Sequence, residues 1–291
     1  MADVRPFRAL RPREDLASDI IAPPYDVLDE DEARAIAVNP HSFLHVTRSE
    51  VDLAPGTDAH SEVAYRKARQ NLDRFEAEGL LTLDDAETYY LYGQKMGDHV
   101  QVGLLAACSV REYDDGLIAK HEFTRPDKED DRTHHMDVLD AQVGLVFLTY
   151  RSQEPLDSLL DELSQGTPAW KVTTADDVEH TFWVVPADRV DALRSALVEV
   201  PKLYVADGHH RSAAASRIHA QRHDDASAYF LAGIFPSDRL QVMAYNRVVH
   251  DLHGHDAAAL LAAVRERFEV SDGPSVPERR GEYSMVLDGH W

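Results

Sequence analysis

Residues 202–223 read KLYVADGHHRSAAASRIHAQRH, and this stretch decides the fold. Lys202–Ala206 is a short apolar run of the kind that forms a buried strand. It leads straight into Asp207-Gly208-His209-His210-Arg211, and then into an alanine-rich helix expected over Ser212–His223. A strand that turns through glycine into a helix presents free backbone N–H groups at the positive end of the helix dipole, a natural seat for an anion. Gly208 permits positive φ or close approach of a ligand. Arg211 can hold a phosphate through two parallel hydrogen bonds. His209 and His210 can donate to phosphate oxygens or exchange protons near neutral pH. Asp207 can cap the helix or hold Mg²⁺ through water. A plain N-cap with solvated histidines is the competing reading, but five polar residues directly after a buried strand exceed what a cap needs.

Outward from this turn, strands and helices alternate. Strands are expected at Ser42–Thr47, Thr88–Lys95, Val100–Tyr113, Val143–Tyr150, Thr181–Val185, Ser227–Phe235, Leu240–Val249 and Tyr283–Leu287. Met96-Gly97-Asp98-His99 suits a tight hairpin between the second and third of these. Helices are expected after Asp29 and before Asn39-Pro40, and over Glu62–Gly79, Pro155–Gln165, Ala187–Glu199 and His255–Phe268. Ala9–Asp26 and the charged stretch Gly116–Asp140 read as loops. One hairpin among alternating elements predicts an α/β (α+β) protein with a mixed sheet and flanking helices. The 291 residues, 44% of them hydrophobic, suffice for one composite α/β domain over 1–291. The final turn signal, Asp288-Gly289-His290-Trp291, follows a strand with no later partner, so a longer natural chain is expected.

The net charge is −22, from 52 acidic and 30 basic residues. Such a surface argues against nucleic acid and anionic membranes as partners. No apolar stretch is long enough for a membrane helix, and the N-terminus lacks an apolar signal core. A single cysteine, Cys108, cannot form an internal disulfide, which points to a cytoplasmic setting. Among the 16 histidines, His134-His135 and His209-His210 are adjacent pairs whose side chains diverge, while His250, His253 and His255 come closer to ligand spacing but lie in a polar surface turn, so a transition-metal site is not expected.

Other residues can serve the same site. Glu122, in Lys120-His121-Glu122-Phe123-Thr124, is a candidate general base, and Lys128 and Arg132 can meet phosphate. Residue 125 is arginine, so His121-Glu122 does not begin the zinc-helix pattern H-E-x-x-H. Pro23-Pro24-Tyr25-Asp26 is a rigid turn presenting a phenol and a carboxylate, while Arg48 and Glu50 follow the Ser42–Thr47 strand. Tyr245-Asn246-Arg247 places polar groups inside an expected strand, as a pocket wall would. Tyr25, Asp26, Arg48, Glu50, Asn246 and Arg247 are therefore candidates for substrate binding.

Several of these motifs together resemble the uncharacterised family called domain of unknown function 1015. They are PPYDV at Pro23–Val27, N-P-x-S-F-L-x-V at Asn39–Val46, Arg48 with Glu50, HEFT at His121–Thr124, Asp131–Arg132, DGHHR at Asp207–Arg211 and YNRVV at Tyr245–Val249. The DGHHR turn is also similar to the phosphate-binding turn of the ParB/sulfiredoxin superfamily, whose free-serine kinases carry a closely similar Asp-Gly-His-His-Arg. That second resemblance implies a ParB/sulfiredoxin-like core around 202–223, with Gly208, His209, His210 and Arg211 on nucleotide phosphates. Asp207 would assist a metal or the acceptor hydroxyl. Sulfiredoxin chemistry needs a cysteine in the turn, where this chain has His209, and ParB-type DNA binding needs a basic segment that does not follow. The implied activity is phosphoryl transfer from ADP or ATP, with Mg²⁺, to a small hydroxylated metabolite such as free serine. Arg211, His209 and His210 would grip the phosphate; Glu122 would be the base, with Glu50 and Asp26 as substitutes. A phosphatase or nucleotide hydrolase, and a nucleotide-sensing module without turnover, are the other readings.

Overall fold

The computed structural model describes residues 3–243, 246–277, 279–287 and 289. They divide into two units, Met1–Leu240 and Gln241–Trp291. In chain order the strands are β1 (Val4–Arg5), β2 (Leu10–Pro12), β3 (Leu81–Leu83), β4 (Tyr90–Met96), β5 (His99–Ser109), β6 (Ile118–Ala119), β7 (Val146–Tyr150), β8 (Trp170–Thr173), β9 (Val178–Val184), β10 (Leu203–Asp207) and β11 (Tyr229–Pro236). The helices are α1 (Ala17–Ile20), α2 (Glu30–Ile36), α3 (Leu44–Thr47), α4 (Glu62–Ala77), α5 (Val110–Asp114), α6 (Pro126–Leu139), α7 (Glu154–Ser164), α8 (Val190–Val198), α9 (His209–Arg222) and α10 (Ala257–Arg265).

A nine-stranded mixed sheet organises the first unit, in the order β6-β10-β7-β11-β5-β4-β9-β8, with β1 paired to the end of β5. The pairs β6–β10 and β7–β11 are parallel and the rest antiparallel. The fold is thus the mixed α/β arrangement that alternation and a single hairpin predict. That hairpin closes through Gly97-Asp98, with Met96 opposite His99 and Gly97 at φ +59°. Alternate residues of each strand pack on opposite faces. Leu104, Ala106, Leu148 and Ile234 join Leu156 and Leu160 of α7 and Leu193 and Leu197 of α8 in one core. Tyr90, Leu105 and Phe182 pack with Ala9 in another. A third core joins Ala68, Leu72 and Phe75 of α4 to Ile20, Val46 and Leu139. Cys108 is buried in β5, and that burial pushes its thiol pKa up.

Several local expectations change. Ser42–Thr47 is not a strand: Leu44–Thr47 is a helical turn, α3, with Leu44, His45 and Val46 all buried. Three consecutive buried residues do not fit a strand with one solvated face, and tertiary packing overrides the β-leaning of Val46 and Thr47. Gly116–Asp140 is not a loop: it holds β6 and the fourteen-residue α6, opened by Pro126 at its first turn. Its inward face is polar, with Asp131, Thr133 and His135 buried beside Leu139, so no apolar period betrays the helix. Ala9–Asp26 contains β2, a 3₁₀ turn and α1 rather than loop alone. β5 stops at Ser109, whose side chain caps α5 by accepting from the Glu112 N–H. β8 is an additional strand beside β9.

In the second unit, α10 is capped by the Asp256 side chain, which accepts from the Ala259 N–H at 2.7 Å. The expected strands at Leu240–Val249 and Tyr283–Leu287 do not form among the described residues, apart from one bridge at Leu287. Val242, Val248 and Val249 are exposed, so no ladder or core rewards an extended run there. No helix among the described residues is long and apolar enough to cross a membrane.

Candidate functional site

The turn after β10 is the anchor. β10 pairs with β7 and slips register between Val205 and Asp207, a bulge that re-aims the strand's last residues. Gly208 then adopts φ +90° as the N-cap of α9, and no side chain caps the helix. The helix therefore begins at His209, three residues before the expected start, so His209, His210 and Arg211 form its first turn. Their backbone N–H groups stand at the positive end of a fourteen-residue helix.

Two arginines from different helices border one small open cleft of about 30 Å³. Its walls include Tyr25, Thr47, Arg132, His135, Gly144 and Arg211. Arg211 pairs with Asp207 at 2.6 Å, while its buried Nε has no hydrogen-bond partner. Arg132 pairs with Asp131 and lies 4.6 Å from the centre of the Tyr25 ring. Burial alone would raise the Asp131 carboxyl. The Arg132 charge, with hydrogen bonds from Tyr65, Arg132 and His60, outweighs burial and holds it below the ordinary carboxylate range. Asp131 thus stays ionised and keeps Arg132 in place.

Arg48 supports this wall from behind. It donates to the Tyr25 and Leu28 carbonyls, both at 2.9 Å, and to Glu50 Oε1 at 2.5 Å. Glu50 is only 4% exposed. Arg48 and Glu50 therefore brace the Pro23–Asp26 turn that presents Tyr25. Asp26 and Lys128 are exposed. Asn246 and Arg247 lie in the second unit, outside any strand and exposed, and Tyr245 falls outside the described residues.

Glu122 and His209, which are not among the cleft's walls, meet at the first residue of α9. Glu122 Oε1 lies 3.1 Å from His209 Nδ1; the imidazole is 2% exposed and the carboxylate 54%. Burial pushes the His209 imidazole below its ordinary value, against the opposing pull of Glu122. His121 turns its Nδ1 to the Val205 carbonyl at 2.9 Å and packs edge-on to His209, ring centres 4.4 Å apart. His210 accepts a hydrogen bond from the Arg125 N–H at 3.1 Å, tying α9 to the start of α6.

The structure thus gathers Tyr25, Arg132 and Arg211 at one cleft, and Glu122 with His209 beside the same turn. His121 entered the sequence reading only as a neighbour of Glu122. Its partnership with His209 has no local signal, because it depends on β6 lying against β10. Asp207 is exposed, and its carboxylate is paired with Arg211 at 2.6 Å.

No curated protein and no solved structure matches the chain. The model of one family, described as protein of unknown function (DUF1015), matches residues 4–291, and the chain belongs to that family.

Proposed function

We propose that the cleft binds the phosphates of an adenine nucleotide, and that the protein transfers a phosphoryl group to a small hydroxylated acceptor, with free serine the first to test. One observation carries the reading: Arg211, with a buried and partnerless Nε–H, shares a cleft with Arg132 beside the uncapped start of α9. A buried donor without an acceptor is costly unless a ligand completes it. The resemblance of DGHHR to the ParB/sulfiredoxin phosphate turn supports the same reading.

In this reading Arg132, Arg211 and the first-turn N–H groups hold the phosphates and stabilise the transferring group. The acceptor oxygen bonds to the terminal phosphorus, the bond to the bridging oxygen breaks, and the nucleotide leaves one phosphoryl group shorter. The acceptor's hydroxyl proton passes to Glu122, which His209 orients. Tyr25 forms part of the substrate wall. No step runs through Mg²⁺.

Hydrolysis is the second reading, favoured by the exposure of Glu122, which admits water to the same base. Arg211→Ala should weaken nucleotide binding by about 1.5–3 kcal/mol, the scale of a charged hydrogen bond. Calorimetric titration with ADP and ATP in Mg²⁺ buffer measures this, and unchanged affinity in a folded variant sinks the phosphate site. Phosphorus NMR with and without serine then separates the chemistries. A new phosphoester signal supports transfer, acceptor-independent consumption supports hydrolysis, and binding without consumption leaves a sensor.

A further inference from the structure

The loop after β6 and the first residue of α9 bring two imidazoles and a carboxylate together. One ligating atom each from His121, Glu122 and His209 lies within 4.8 Å of the other two. Their other contacts restrict which atoms carry hydrogen. The Val205 carbonyl can only accept, so His121 Nδ1 donates to it and His121 Nε2 keeps a bare lone pair. For His209, two neutral forms exist. With hydrogen on Nδ1, which faces Glu122, the bare Nε2 is buried without a partner. With hydrogen on Nε2, the bare Nδ1 lone pair faces the Glu122 carboxylate across 3.1 Å. In the second form, a cation between Nδ1 and the carboxylate would satisfy both.

We propose that His121, Glu122 and His209 bind a divalent transition-metal ion, with zinc the first to test. Two neutral imidazoles and one carboxylate form a nitrogen-rich set suited to zinc and its neighbours, rather than to Mg²⁺ or Ca²⁺ with their oxygen ligands. The Val205 carbonyl plays the part usual behind a metal-bound histidine, fixing tautomer and ring orientation. In a tetrahedral site, ligands about 2.0–2.2 Å from zinc lie roughly 3.3–3.6 Å apart, so atoms now within 4.8 Å of one another must draw together by up to about 1.4 Å. His121 and Glu122 are exposed on a loop and can supply that movement, whereas His209 is held in the core. Three protein ligands leave a position for water or a substrate oxygen. With an ion seated, Glu122 is a ligand and no longer a free base, so the two roles exclude each other on one chain.

The test uses the full chain, stripped with a chelator and titrated with Zn²⁺ against a chromophoric competitor, without nucleotide. One tightly bound ion per chain is expected, with Co²⁺ giving the visible absorption of a low-coordinate nitrogen–oxygen site. His121→Ala and Glu122→Gln, both at exposed positions, should each lower affinity about 100-fold or more, beyond the effect of losing a supporting contact. Circular dichroism should show both variants folded, and Arg211→Ala should titrate like the wild type. Absence of a stoichiometric ion overturns the proposal. So does an ion whose affinity ignores His121→Ala and Glu122→Gln, since it binds elsewhere. Neither result bears on nucleotide binding, which is measured separately.

Discussion

At the scale of single residues, Gly208 carries the turn. At φ +90° it occupies a region that L side chains rarely enter, and an added Cβ would lie 2.9 Å from Arg211 Nε. Gly208→Ala should therefore cost roughly 1–2 kcal/mol of stability from backbone strain, and should also displace the guanidinium. Urea unfolding midpoints measure the first effect and nucleotide titration the second; a variant as stable as the wild type counts against the turn geometry. The need for glycine at this position is legible in the sequence, since a strand and a helix meet there with no other residue able to turn. The neighbouring histidines are different. His210 looks like a phosphate donor in sequence, yet its Nε2 accepts from the Arg125 N–H and ties two helices together. An imidazole's role depends on the partner that reaches it, and Arg125 is remote in sequence.

At the scale of elements, α6 carries the least legible information. Its buried face is polar, so the usual apolar stripe is missing and the charged sequence imitates a loop. Packing supplies the partners instead: Arg217 of α9 pairs with Glu129 and Asp130, and Arg222 pairs with Asp137 and Asp140. On the inward face, His135 lies buried with Nε2 3.3 Å from the Val46 carbonyl. Burial, reinforced by the Arg132 charge, pushes its pKa down to about 4. The unfolded chain binds that proton near pH 6.5 and the folded chain only near 4, so between these values the unfolded state holds more protons. Stability from this group is complete above about pH 6.5 and is lost as pH falls toward 4, by roughly 2 kcal/mol at pH 5. His135→Leu should flatten the pH dependence of the thermal midpoint between pH 7 and 5. An unchanged slope would show that other groups govern acid unfolding.

At the scale of the whole molecule, the −22 charge acts on every element at once. Many arginines are already paired with acids, so much of the excess negative charge stays on the surface and repels itself. Raising ionic strength from about 0.01 M to 0.15 M shortens the screening length from about 30 Å to 8 Å. The thermal midpoint should rise by roughly 2–4 °C for each 1 kcal/mol of repulsion relieved, as a sodium chloride series in calorimetry would show. A falling midpoint would mean that the surface ion pairs outweigh the repulsion.

The sequence by itself determined whatever local pattern encodes: the strand, glycine turn and helix at 202–223, the Gly97-Asp98 hairpin, the long α4 and the Asp29 cap of α2. Each is written within a few neighbouring residues, where backbone sterics and apolar period decide the outcome. Only the tertiary structure decided that Arg132 and Arg211 share a cleft, that Arg48 and Glu50 brace the Tyr25 turn, and that His121 and Glu122 meet His209. Those meetings depend on the pairing of β6 with β10, on the bulge after Val205 and on the packing of α6 against α9. They arise from contacts between segments far apart in the chain, which carry no local periodicity and are settled only when the whole core closes.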